Sequence, residues 1–91
     1  MYKFIALMPE IHGGRELGEF NTLKEAFDCG FTNGCNDETC KCNSKGFNVK
    51  VVFEDGQSSF VQVVGSEENP RCVAPHTDEN GNFGYEYVGN I

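Results

Sequence analysis

Residues 46–65, GFNVKVVFEDGQSSFVQVVG, hold the clearest pattern in the chain. Apolar side chains fall at Phe47, Val49, Val51 and Phe53, then at Val61 and Val63. All are odd positions, and strand side chains alternate with a period of two. The segment between the two arms is Glu54-Asp55-Gly56. A three-residue hairpin loop with Gly56 left-handed pairs Phe53 with Gln57, Val51 with Ser59, Val49 with Val61 and Phe47 with Val63. That register puts both odd sets on one face. A two-residue Asp-Gly turn sets Val49 opposite Gln62 and splits them, so the three-residue loop is expected. Val52, Phe60 and Val64 lie on the other face, which is therefore not purely polar.

Working outward, residues 2–8 (YKFIALM) read as a strand. Its apolar residues lie on both faces, which places it inside a sheet. Pro9 stops it, because proline cannot donate to a ladder. Residues 15–20 (RELGEF) can return beside it as a second strand. Thr22 with Glu25 forms a capping box, and Leu23, Ala26 and Phe27 share one helical face. Gly30 then offers a left-handed stop with Phe31 as its apolar contact, so a helix of about two turns is expected over 23–29. Residues 32–45 have no period and are rich in turn formers. Beyond the hairpin, 66–70 is an acidic loop. Residues 71–77 read as a short strand that Pro75 confines to an edge. Residues 78–82 turn at Asn80-Gly81, and 83–88 (FGYEYV) alternate as the last strand. The expected fold is α+β: an antiparallel sheet of five or six strands, one short helix packed on one face, and a long cysteine-containing loop.

The chain's 91 residues suit a single domain, 1–91. A chain this short buries about 60–65% of its unfolded surface, so its core is modest. The formal charge is −7 and it is unevenly spread. Residues 1–51 carry a net −1 and residues 52–91 a net −6. Arg71 is the one base in that second part, against Glu54, Asp55, Glu67, Glu68, Asp78, Glu79 and Glu86. Direct nucleic-acid binding needs clustered Lys and Arg, so it is not expected. Surface acids commonly serve solubility. The more specific use is a negative face for a protein partner with a basic surface. The N-terminal apolar run, 4–8, is shorter than a secretory core, and no stretch reaches the length of a membrane span. With a methionine at its start, the chain reads as a cytoplasmic protein with reduced or metal-bound cysteines.

Cys29, Cys35, Cys40 and Cys42 fall within fourteen residues, spaced C-x5-C-x4-C-x-C. Zinc takes four thiolate or imidazole ligands, and a loop without a core of its own gains order by wrapping a metal. The spacing is not the paired C-x2-C knuckle. Cys72 and His76, spaced C-x3-H, form a second set that could join the cluster, and His12 is a further candidate ligand. The competing reading is plain buried thiols, since free cysteine behaves as a small apolar residue. Disulfides are the third.

No catalytic set is evident. On an extended strand Cys72 and His76 would share a face but lie over ~10 Å apart, too far to hydrogen-bond. Residues 78–82 look superficially like a calcium loop, but an EF-hand needs glycine sixth and an acid twelfth, where Phe83 and Gly89 stand. The glycine pairs fit no phosphate loop. Phe83, Tyr85 and Tyr87 could stack on bases, yet with so little positive charge nearby they suit a core or a protein interface better.

Three functions follow. The first is a small acidic non-enzymatic interaction module. In its sharpest form it is an inhibitor whose carboxylates fill a basic nucleic-acid groove, as in a phage-type anti-defence protein. The second is a zinc-stabilised recognition module using the 29–42 cysteine loop. The third is a small thiol redox protein using Cys40-Lys41-Cys42, although a thioredoxin-like motif opens a helix and this one does not.

Overall fold

The structure, a computed structural model, describes residues 2–42 and 46–91. It is α+β, with one α-helix and two antiparallel sheets. The first sheet has the order β2-β1-β3-β4 and the second β5-β6-β7. The strands are β1 (Lys3–Leu7), β2 (Glu16–Phe20), β3 (Asn48–Val52), β4 (Ser58–Phe60), β5 (Gln62–Gly65), β6 (Pro70–Thr77) and β7 (Phe83–Gly89). The helix, α1, is Leu23–Asn33.

The hairpin at 46–65 forms in the expected register. Val51 faces Ser59. The Phe53 N–H donates to the Gln57 carbonyl at 2.8 Å, and the Val61 N–H to that of Val49 at 2.8 Å. Gly56 has φ +89°, which a left-handed glycine adopts without strain. The fourth pair, Phe47 with Val63, does not form. The chain breaks its ladder at Val61, and β5 pairs with β6 instead, Val63 opposite Cys72. This exit splits the expected single sheet in two. The odd set still stays together: Phe47, Val49, Val51 and Phe53 are buried, and Val61 and Val63 pack against them.

As expected, β1 is interior, between β2 and β3. Its alternate residues make two rows across the first sheet. Phe20, Phe4, Val51 and Ser59 form one, and Gly18, Ala6 and Val49 the other. The face they share carries α1 through Leu23, Ala26 and Phe27. Cys72, Ala74 and Val88 bring the second sheet onto the same core. A Ser59 hydroxyl donating to the Pro75 carbonyl at 2.6 Å joins the sheets.

Two local expectations need correction. The helix does not stop at Gly30 but runs on to Asn33, where the Gly34 N–H closes on the Gly30 carbonyl at 2.8 Å. Gly30 serves packing instead: a Cβ there would lie 2.1 Å from the Phe47 ring. That ring is also bracketed by Phe27 and Phe31, with centroids at 5.7 and 5.0 Å. The second correction is β6, which is central rather than an edge. Pro75 is tolerated because β5 pairs only with residues 70–73. The Pro75 carbonyl points at Ser59, so its nitrogen faces the same way, off the β7 ladder.

The capping box is half formed. The Thr22 hydroxyl accepts the Glu25 N–H at 3.2 Å and donates to the Glu25 carboxylate at 2.9 Å. The turn at 78–82 closes as expected, with Gly81 at φ +81°.

Candidate metal centre

Two connections meet beside the first sheet. One joins β1 to β2. Pro9 ends β1, and a 3-10 turn, Glu10–His12, follows and closes on Gly13, which is left-handed at φ +92°. His12 stands at the end of that turn.

The other connection follows α1. Its base is pinned by the Cys35 N–H donating to the Gly46 carbonyl at 2.8 Å. Only glycine fits at 46, since a Cβ there would sit 2.0 Å from the Cys35 oxygen. Inside the loop, the Asp37 carboxylate accepts both the Thr39 N–H, at 2.9 Å, and its hydroxyl, at 2.8 Å. The Cys40 N–H donates to the Asp37 carbonyl at 3.1 Å. This Asx turn orders the peptide between Cys35 and Cys40 before any ligand is considered. Residues 43–45 of the cysteine loop lie outside the described residues.

The result brings His12, Cys35, Cys40 and Cys42 together. Their ligand atoms all lie within 4.8 Å of one another. The His12 Nε2 is 3.1 Å from the Cys40 Sγ. None of the five cysteines is in a disulfide. Tetrahedral zinc–thiolate bonds of ~2.3 Å place sulfurs ~3.8 Å apart. A spread of up to 4.8 Å therefore needs side-chain closure of about an ångström or less, within reach of rotamer adjustment. These four residues lie close enough to hold a metal ion.

The thiols respond to each other. The Asp37 backbone N–H holds the Cys35 thiol below its ordinary value, helped by Cys42 and Cys40. Desolvation pushes Cys42 up to about 11, and contacts with Cys35 and Cys40 add to it. One thiolate thus forms easily in the group and makes the next one costly. A cation among them removes that penalty, because it favours every ligand's deprotonated form.

Of the thiols picked out in the sequence, Cys35, Cys40 and Cys42 converge and Cys29 does not. Cys29 sits within α1, where the Asn33 amide donates to its carbonyl at 3.2 Å and meets its sulfur at 3.6 Å. His12 stands where Cys29 was expected. Cys-to-Cys spacing could not rank it, because it arrives from a connection between two other strands. Cys72 is fully buried in the core, and His76 lies elsewhere, so the second thiol–imidazole set does not assemble.

The C-terminal carboxylates follow two patterns. Asp55 and Glu86 engage His76, at 2.8 and 3.0 Å. Asp78 accepts the N–H groups of Asn80 and Asn82, each at 2.9 Å, which holds its carboxyl below the usual range. Glu54, Asp55, Asp78, Glu79 and Glu86 border one cleft of about 550 Å³. Glu67 and Glu68 lie apart, exposed in the loop between β5 and β6. Phe83, Tyr85 and Tyr87 all point outward from β7, Phe83 being 69% exposed, so they do not serve the core. Among the described residues no helix is long and apolar enough to cross a membrane. Comparison with protein-family models, with curated proteins and with solved structures finds no match.

Proposed function

We propose that this chain is a zinc-stabilised, non-enzymatic protein-interaction module whose partner carries a basic surface. The observation that carries the reading is the convergence of one imidazole and three thiols from two separate connections. Three sulfurs and one nitrogen are the donor set of structural zinc, and soft thiolates select it over magnesium or calcium. Four protein ligands complete a tetrahedron and leave no open position for a substrate, as structural sites do.

The ion's role follows from where its ligands sit. It stitches residues 10–14 of the β1–β2 connection to residues 35–42 of the loop after α1, two stretches that contribute nothing to the buried core. A cleft of about 500 Å³ lies alongside, bordered by Ile11, Lys41, Cys42 and Phe60. Ile11 and Phe60 are exposed apolar residues, so the stitched segments form one wall of a recognisable surface. The acidic side of the module is the 52–91 part with its net −6. Two of its carboxylates, Asp55 and Glu86, pair with His76. Glu67, Glu68 and Glu79 stand exposed and can meet a cationic partner, in a contact that weakens steeply with salt. An inhibitor that occupies a basic nucleic-acid groove is the most specific form of this reading.

Native mass spectrometry of protein purified without chelator tests it. The expected spectrum shows one zinc per chain, lost together with the loop's order on chelation. Less than a tenth of an equivalent of any soft metal would remove the zinc half of the proposal.

A further inference from the structure

Away from the thiol cluster, one imidazole stands between the two sheets with both of its nitrogens engaged. His76 lies on β6 with its side chain only 16% exposed. Its ring stacks on Phe53, with centroids 4.1 Å apart and planes at 29°. Nε2 is 2.8 Å from an Asp55 carboxylate oxygen, and Nδ1 is 3.0 Å from one of Glu86. Asp55 belongs to the turn between β3 and β4 in the first sheet, whereas Glu86 is on β7 in the second. The Tyr2 hydroxyl, just ahead of β1, donates to the other oxygen of Glu86. A single ring therefore ties the tip of the central hairpin to the opposite sheet.

An ionised carboxylate only accepts hydrogen bonds, and an imidazole donates from both nitrogens only when it is doubly protonated. A neutral ring satisfies one of the two carboxylates and turns a lone pair toward the other. We propose that His76 is a proton-operated latch: as imidazolium it fastens the Asp55 turn to β7, and on losing a proton it releases one carboxylate and loosens the turn from the second sheet.

The surroundings agree with this. Among the described residues, the charged and titratable groups around the ring are Asp55 and Glu54 from the turn, Glu86 from β7, Tyr2 from ahead of β1, and Asp78 and Glu79 from the β6–β7 turn. β4, which also packs on β6, brings only Ser58, Ser59 and Phe60. Among the described residues no lysine or arginine borders the cleft. The hydrogen bond to Asp55 and the charges of Asp55 and Glu86 raise His76 above its ordinary value, and desolvation opposes them only in part. The hydrogen bond to Glu86 pushes Tyr2 up to about 12, so it stays a neutral donor while His76 titrates.

The sign follows from linkage. A histidine whose native value lies above the unfolded ~6.5 contributes fully below ~6.5, and loses that contribution as pH rises through its native value. Asp55 is depressed, first by the Gln57 N–H and then by His76. Its contribution is present above ~3.9 and fades as pH falls through its native value. The latch is thus closed in between and opens on the alkaline side. Opening adds one unit of negative charge to a cleft already walled by carboxylates. The Gln57 amide, which donates to the Thr77 carbonyl at 2.8 Å and accepts the Thr77 N–H at 3.3 Å, remains as the hinge.

The experiment is an NMR titration of the metal-loaded protein from pH 6 to 9, following the ring nitrogens, with His76→Gln assigning the His76 signals against those of His12. The expected result is a doubly protonated His76 at the start and an apparent pKa above ~6.5. The Asp55 and Glu86 amide signals should move in step with it. Asp55→Asn and Glu86→Gln should each lower that pKa, every unit being a tenfold loss in the protonation constant. Amide protection at Gln57 and Thr77 should fall about tenfold or more across the titration, and in His76→Gln it should be low and flat. If either carboxamide variant fails to fold, the other gives the same reading. A His76 that titrates at or below the free value, or loop amides that ignore its titration, overturns the latch.

Discussion

Gly30→Ala sets two effects of opposite sign against each other. In an open helix the change gains about 1 kcal/mol, because alanine is the better helix former. Here Gly30 lies inside α1 and is buried. The new methyl would stand 2.1, 2.4 and 2.5 Å from three atoms of the Phe47 ring. Phe47 is 1% exposed and is hemmed by Phe27 and Phe31, so it has no free rotamer to retreat into. Overpacking of this kind costs about 1–3 kcal/mol, and three overlapping ring atoms place it at the upper end. The net expectation is a loss of about 2 kcal/mol. With a urea slope of about 1–2 kcal/mol/M for a chain this size, the midpoint falls by about 1–2 M. The assay is equilibrium urea unfolding at fixed metal concentration, since a bound ligand shifts apparent stability by itself. The control is the same substitution in a Phe47→Leu background, where the ring is gone and much of the loss should disappear. A midpoint raised by Gly30→Ala, or an equal loss in both backgrounds, refutes the reasoning.

Other outcomes follow from the same geometry. Ser59→Ala removes the side-chain bond from β4 to the Pro75 carbonyl and should cost about 0.5–1.5 kcal/mol in urea unfolding. Asp78→Asn weakens the acceptor that closes the β6–β7 turn. Because that carboxyl is depressed in the native state, its contribution is present above ~3.9 and disappears as pH falls, so wild type and variant should converge in acid melts. His12→Ala and Cys40→Ser should both weaken metal binding and expose the 35–42 amides to exchange, whereas Cys29→Ser should leave the metal content unchanged. Association with any basic partner should lose affinity steeply between low and physiological salt, as surface-read electrostatics demands.

Patterns that act over a few residues were legible in the chain. The period-two run in 46–65 fixed the hairpin, its left-handed Gly56 and the face shared by Val49 and Val51. Thr22 and Glu25 marked the start of α1, and Asn80-Gly81 the last turn. What escaped was set by distant partners. The ladder's break at Val61 depends on β6, which offers Val63 the buried Cys72. The role of Gly30 depends on Phe47, seventeen residues on; from one sequence a glycine that ends a helix and a glycine that receives a ring look alike. The candidate site shows the same division. The thiol-rich loop announced itself by composition. His12 stood there only as a further candidate, because what brings it near Cys40 is the pairing of β1 with β2 and β3, a long-range contact with no local signature.

The central claim is that His12, Cys35, Cys40 and Cys42 share one ion. X-ray absorption fine structure of the protein's bound zinc tests it most directly. The expected first shell is three sulfurs at ~2.3 Å and one nitrogen at ~2.0–2.1 Å, with the nitrogen lost in His12→Ala. A four-sulfur shell, which would bring in Cys29 or a second chain, or a shell of oxygens alone, would contradict it.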